Sequence, residues 1–359
     1  MTFPYRESTP DLIRQAHEQR VRLTLSNGTT TWTVEPLTGT LTLAEDWSPF
    51  AQLRSTIANT FLPGELSLID PRTDLDVVLE AGYIHPDGAV DLHPVFTGQL
   101  EERKARNPSG VVDLQASGAE VFAHEAKWMD ADTWKTFAGV TEAVAWLAGY
   151  ALGGTAPAVL STLGNLYRPD LVNAVPLVTG QDIWEAIGDI ALAANVRVFV
   201  DVDGTWTIAP RATLAGVTAA YLSTGGGGIV DSSEDVLTRQ DYHGAAAVKF
   251  EWRDAGGIDR QVIGKYGASG TKTYSETRKY PVNQTQADGV AQAIVRNQST
   301  RGDSYQCNGV AVWWLRPGDT VQVSLANGTE ARHIVRRIVF DFMSGTMQVT
   351  TREPSNLGA

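Results

Sequence analysis

Leu25-Ser26-Asn27-Gly28-Thr29 lies near one end of the chain and Leu325-Ala326-Asn327-Gly328-Thr329 near the other. Each follows an alternating run. Val21, Leu23 and Leu25 alternate with Arg22, Thr24 and Ser26, the period of two that marks a half-buried strand. Asn27-Gly28 offers the two positive-φ residues of a type I′ turn, and Trp32 and Val34 resume the alternation. At the far end Val321, Val323 and Leu325 alternate with Thr320, Gln322 and Ser324, and Asn327-Gly328-Thr329 turns the chain. The return strand, 331–342, alternates less cleanly because Arg336 shares a face with Ile334, Ile338 and Phe340. Four of the five residues match between the two quoted segments. Two readings stay open at this point: coincidence, since Asn-Gly hairpins are common, or duplication of one structural unit.

Outward from the first hairpin, strands are predicted at 76–83, 90–103 and 111–116, with Pro86-Asp87-Gly88 and Asn107-Pro108-Ser109-Gly110 as turns. Residues 1–118 therefore read as a first β-barrel domain. Helical spacing begins with Val140, Val144 and Leu147. Over 181–195, Ile183, Ala186, Ile187, Ile190 and Ala191 form one apolar face, preceded by Thr179-Gly180-Gln181-Asp182. Val196, Val198, Val200 and Val202 then form a strand, Asp203-Gly204 a turn, and Trp206 and Ile208 a return strand. Gly225 to Gly228 mark a junction, so 119–228 reads as a mixed helical and hairpin middle domain. The last part, 229–359, has a strand through Val248, Phe250 and Trp252, a helix at about 285–299, and an apolar run, Val310 to Leu315, that reads as a strand. Arg316-Pro317-Gly318-Asp319 has the residues of a type II turn, and Met347 and Val349 end the sheet. This is a second β-rich domain with a C-terminal β-barrel. The fold class expected is α+β, predominantly β: two small β-barrels in one chain joined by mixed α/β domains.

Bulk properties bound the function. The 359 residues carry 43% hydrophobic and 19% charged side chains, an ordinary globular balance. A net charge of −12 disfavours general attraction to a phosphate backbone. One cysteine, Cys307, cannot make an internal disulfide and reads as a small buried hydrophobe. The first residues lack the basic and apolar regions of a signal peptide. The uncharged stretch Ala143 to Tyr167 is long enough to cross a bilayer, but Gly149, Gly153, Gly154, Pro157 and Gly164 interrupt it. It reads as a buried helix, a turn and a short apolar segment, with no stable membrane association.

Catalytic patterns are missing. His124-Glu125 is followed by Ala126-Lys127-Trp128, so no second metal-binding histidine stands where H-E-x-x-H requires it. His17, His85, His93, His124, His243 and His333 have no metal-ligand spacing. Gly267-Ala268-Ser269-Gly270 is one residue short of a nucleophile elbow. Gly264-Lys265 lacks the rest of a phosphate loop, and Val230 occupies the last glycine position of a dinucleotide fingerprint. Asp201-Val202-Asp203-Gly204 lacks the further ligands of a calcium loop, and Arg301-Gly302-Asp303 is too short to specify adhesion. No catalytic, cofactor-binding or metal residue is assigned, and no enzyme activity is expected. A carboxylate pair for glycoside hydrolysis is compatible with 41 acidic residues but has no other support. Of ten tryptophans, Trp32, Trp206, Trp252 and Trp314 fall on the apolar phase of strands; Trp128 and Trp134, in a polar setting, are the candidates for exposed contacts.

Three stretches carry a family resemblance: Ile183 to Ala191 running into Val198 to Ala209; the helix from Ala287 to Arg296; and Leu315-Arg316-Pro317-Gly318-Asp319-Thr320-Val321-Gln322-Val323 with Val335 to Phe342 and Met347 to Thr351. With Phe96-Thr97-Gly98-Gln99 in the N-terminal part, the order resembles the bacteriophage tail-hub family, that is, baseplate-hub and tail-tip minor tail proteins. The resemblance implies a structural virion protein of the tail tip, made in the host cytoplasm. It implies two related barrels per chain and a homotrimer whose six barrels give a pseudo-sixfold ring. That ring would join a distal tail protein or tail-tube ring to a tip fibre or spike, meet the tape-measure protein, and let DNA pass without specific binding during genome ejection. Some relatives append a cell-wall-degrading domain; with Ala359 soon after the second barrel, none is expected here. The alternative is a carbohydrate- or receptor-binding tail component that uses Trp128 and Trp134.

Overall fold

The computed structural model describes residues 4–15, 17–62, 64–162, 174–224, 228–240, 242–254, 256–325 and 328–354. The N-terminal part holds α1 (Thr9–Leu12), β1 (Glu18–Ser26), β2 (Thr31–Val34), β3 (Pro36–Ala44), β4 (Ala51–Ala58), α2 (Glu65–Leu68), β5 (Asp76–Ile84), β6 (Val90–Arg106) and β7 (Val111–Ser117). Then come α3 (Glu120–Glu125), β8 (Thr133–Lys135), α4 (Val140–Ala151), β9 (Val159–Ser161), β10 (Val175–Leu177), α5 (Ile183–Ala193), β11 (Val196–Val200), β12 (Trp206–Pro210) and β13 (Ala220–Leu222). The rest is β14 (Val230–Leu237), β15 (Ala245–Arg253), β16 (Asp259–Tyr266), β17 (Thr273–Arg278), α6 (Gln284–Ser299), β18 (Asp303–Val310), β19 (Thr320–Ser324), β20 (Glu330–Asp341) and β21 (Thr346–Arg352). With 46% strand and 16% helix the class is α+β and predominantly β, as expected.

Among the described residues no closed barrel is detected at either end. The two ends merge into one 13-stranded sheet, ordered β14-β18-β21-β20-β3-β4-β7-β6-β5-β1-β2, with β19 and β13 branching from β20. The seam is antiparallel pairing of β3 with β20, from Ala44 opposite Arg337 to Thr40 opposite Asp341. Each strand would otherwise present an unpaired row of backbone groups, so pairing them removes two edges at once. Gly39 lies at this seam, where a Cβ would stand 2.6 Å from Arg54 O and 2.8 Å from the Phe342 ring. Only glycine lets that ring lie over the backbone.

One apolar core lies under this sheet and draws on both ends of the chain. Its largest fully buried side chain is Trp313, stacked on Phe340 at 4.7 Å, with its indole N–H donated to Gln19 Oε1 at 2.9 Å. Tyr83 donates to Ala311 O and accepts from Trp313 N. Residues 311–315 are therefore not the strand their apolar run suggested: β18 stops at Val310 and a buried turn follows, closed by Leu315 N on Val312 O. A second core packs α4, α5 and β11–β12 with β15 and α6. Asp182 caps α5, accepting from Trp184 N and Glu185 N, and Asn283 with Gln286 forms a capping box on α6.

Both quoted turns differ from a type I′ hairpin or fall partly out of view. In the first, Gly28 alone takes positive φ, at 79°, and Asn27 uses its side chain instead, accepting from Thr29 N and Thr30 N. The two-residue loop is thus Gly28-Thr29, with glycine first as in type II′ turns. In the second, Gly328 has φ 80° and Leu325 N donates to Thr329 O; Ala326 and Asn327 lie outside the described residues. So do Gly225 to Gly227 of the glycine junction and Gly164 to Tyr167 of the uncharged stretch. That stretch begins as α4 and reaches β9 through Gly153 and Gly154, both at positive φ. Among the described residues no helix is long and apolar enough to cross a membrane.

Candidate functional site

The residues singled out in the sequence do not converge. Trp128, expected to be exposed, is 5% exposed. Its ring lies 4.8 Å from Tyr150 and 5.7 Å from Trp146, both on α4, and its indole N–H reaches Ala131 O at 3.2 Å. The polar local sequence misled because the apolar partners arrive from a different element. Trp134, on β8, is half-buried. Trp32 and Trp206 are buried, and Trp252 and Trp314 pack partly buried against the two cores. Cys307 is buried, and burial pushes its thiol up to about 12, which makes it inert at neutral pH. Asp201 to Gly204 is a hairpin turn: Asp201 N donates to Thr205 O and Asp203 Oδ1 accepts from Thr205 N. Among the described residues no group of three or more His, Cys, Asp or Glu could hold a metal.

What the fold does bring together is charge. Glu45 and Asp46 follow β3 at the point where the terminal sheet meets the second core. Glu45 accepts from Arg352 through both oxygens, each at 3.0 Å, and the two side chains are each 5% exposed. Such a forked pair fixes orientation as well as charge. Asp46 takes Arg301 Nη2 on one oxygen at 2.7 Å and Arg336 Nε on the other at 2.9 Å. Arg197, on β11, places Nη1 3.6 Å from Glu45, and Arg211 follows β12. Burial pushes Asp46 up, but Arg301 and Arg336 outweigh it and hold the carboxyl below its ordinary range. The off-phase Arg336 of the sequence is explained here: a bulge between Val335 and Arg337 turns it out of the core toward Asp46. Of Arg301-Gly302-Asp303, Arg301 is likewise tied into this joint through Asp46.

A second polar joint lies on the same strand. Glu120, at the start of α3, is fully buried and its Oε1 accepts from Phe50 N at 3.2 Å and Val200 N at 2.8 Å. One residue thereby links the segment just before β4 to α3 and β11. Burial raises its carboxyl to about 7. Between the joints, Arg197 lies over the Phe199 ring at 4.8 Å, and Phe199 packs on Phe50 at 5.0 Å. Sequence reading missed these residues because they come from positions as far apart as 45 and 352; the off-phase Arg336 was the only local sign.

No protein-family model and no curated protein sequence matches the chain. Its fold is matched by solved structures. The tail protein from Neisseria meningitidis MC58 is 15% identical with TM-score 0.64, over 93% of this chain and 97% of that one. The 43 kDa tail protein of prophage MuSo2 from Shewanella oneidensis is 11% identical with TM-score 0.61, over 94% and 99%. The E. coli c3393 protein, a component of the type VI secretion system with structural similarity to T4 bacteriophage tail proteins gp27 and gp5, is 10% identical with TM-score 0.55, over 95% and 78%. The chain has the fold of phage tail and hub-like proteins, as the three sequence stretches implied.

Proposed function

We propose that this chain is a structural, non-enzymatic component of a phage tail tip. It acts as a hub whose copies form a homotrimeric, pseudo-sixfold ring between the tail tube and the distal tip, with DNA passing through the centre. The observation that carries the reading is the match of fold over nearly the whole of this chain and of two phage tail proteins. Such a match covers the architecture and not one borrowed module. The open sheet edges lend support. β2 and β14 end the sheet path and are different surfaces, as head-to-tail contacts in a closed ring need. As domains we propose 1–118, 119–228 and 229–359, the last contributing to both cores. The partners of this reading are further copies of the chain, a distal tail or tail-tube ring, the tape-measure protein and a tip fibre or spike.

The test is the mass of the purified protein by light scattering, alongside electron micrographs of virions. Three copies in one ring at the tail tip are expected. A strict monomer, together with absence of the chain from purified virions, overturns the proposal. The glycan-binding alternative has lost one of its two tryptophans, because Trp128 is core, and retains only the half-buried Trp134.

A further inference from the structure

We propose that the arginine joint is a binding site for a small oxyanion of the phosphate or carboxylate type, held by Arg197, Arg211 and Arg301. The argument is an account of donors and acceptors. Both oxygens of Glu45 are engaged by Arg352, and both oxygens of Asp46 by Arg301 and Arg336. Arg197 Nη1 stands 3.6 Å from Glu45 Oε1, too far for a hydrogen bond. Arg197 Nη2, Arg211 Nε and Arg301 Nε are buried and have no acceptor among the described residues. The Arg197 side chain is 10% exposed. Arg352 Nη2 also reaches Ala212 O at 3.0 Å, which places the backbone beside Arg211 against the same joint.

A buried carboxyl or lysine without a partner can become neutral, but a guanidinium cannot. Burial pushes all three arginines down from their ordinary value, against the pull of Glu45 and Asp46; Arg197 adds to it at Arg211, and Arg336 at Arg301. A ligand that suits the remaining N–H groups accepts several hydrogen bonds, donates none and carries negative charge. Exposure is graded across the joint. Glu45 and Arg352 are each 5% exposed, whereas Asp46 and Arg336 are 24% and 27% exposed. An anion can therefore enter from solvent or be presented as a carboxylate by a neighbouring copy.

The test is thermal unfolding of the full chain titrated with sodium phosphate, against sodium chloride at equal ionic strength. Wild type, Arg211→Gln and Arg301→Gln are compared. The expected result is a saturable rise in Tm for wild type. Each variant should need about tenfold more phosphate for half the effect, as loss of a charge-assisted hydrogen bond implies. Light scattering in the same titration distinguishes the sources. Dissociation of an assembly as phosphate saturates identifies a neighbouring chain's carboxylate as the occupant, and an unchanged mass identifies a free anion. A rise in Tm that never saturates and is equal in all three proteins is general salt stabilisation and overturns the proposal, as does no difference between phosphate and chloride.

Discussion

The Glu45–Asp46 joint and the Glu120 joint both meet strand β11, and they accommodate a carboxylate beneath the surface in opposite ways. The first surrounds its acids with guanidiniums; the second supplies two backbone N–H groups and no cation. The signs of their pH dependence are therefore opposite. Asp46 is held below its ordinary 3.8, so its contribution is present above 3.8 and lost as the pH falls through the lowered value. Glu120 is raised from 4.5 to about 7, so its contribution is complete below 4.5 and lost as the pH rises through about 7. One joint is suited to neutral and alkaline conditions, the other to mildly acidic ones.

The largest expected effect breaks the first joint. Glu45→Gln leaves Arg352 buried at 5% exposure without its counter-charge, and removal of one partner of a buried pair costs about 3–5 kcal/mol. Urea unfolding at pH 7 measures it. Arg211→Met at the same joint removes a cation whose buried Nε has no acceptor among the described residues. In phosphate-free buffer it should be neutral or stabilising. A loss as large as that of Glu45→Gln would mean that the joint is charge-balanced.

The second joint is tested by slope. Between 4.5 and 7 the folded chain holds a proton on Glu120 that the unfolded chain has released, so stability falls with rising pH by up to about 1.4 kcal/mol per unit from this group. Glu120→Gln keeps an oxygen to accept from Phe50 N and Val200 N and cannot ionise. The variant should lose that part of the slope and become the more stable protein above pH 7. Asp189, also buried and raised to about 6 beside Arg278, titrates in the same window in both proteins, so the difference between them isolates Glu120.

The contrast between joints also marks what was legible in the sequence. Local patterns were read correctly: β5, β6 and β7 from their alternation, α5 from its apolar face with Asp182 as cap, and the turn at Arg316 to Asp319, where Gly318 has φ 101°. Each depends on residues a few positions apart. The failures needed distant partners. The pairing of β3 with β20 joins the two ends in one sheet, which no local pattern could show. Trp128 is buried by Trp146 and Tyr150. The run from Ala311 to Leu315 is apolar throughout, so no periodicity distinguishes a strand from the buried turn it forms. Both joints belong to this second group, since no stretch of sequence holds both partners of any ion pair at Glu45 or Asp46.

The smallest expected effect asks whether the joints act as one unit. They share β11: Arg197 reaches Glu45 and stacks on Phe199, Phe199 packs on Phe50, and Phe50 and Val200 donate to Glu120. A contiguous chain of contacts transmits a shift of the strand from one end to the other, whereas independent sites add within about 0.3–0.5 kcal/mol. The double variant Glu45→Gln with Glu120→Gln, set against the two single variants at pH 7, should therefore deviate from additivity by about 0.5–1 kcal/mol. Adding Phe199→Leu to all three variants and to wild type should bring the deviation down to the additive range, because it removes the aromatic link and leaves both carboxyl sites in place. Additivity in the presence of Phe199 would mean that β11 holds the two joints as separate clamps, with opposite pH ranges and no communication between them.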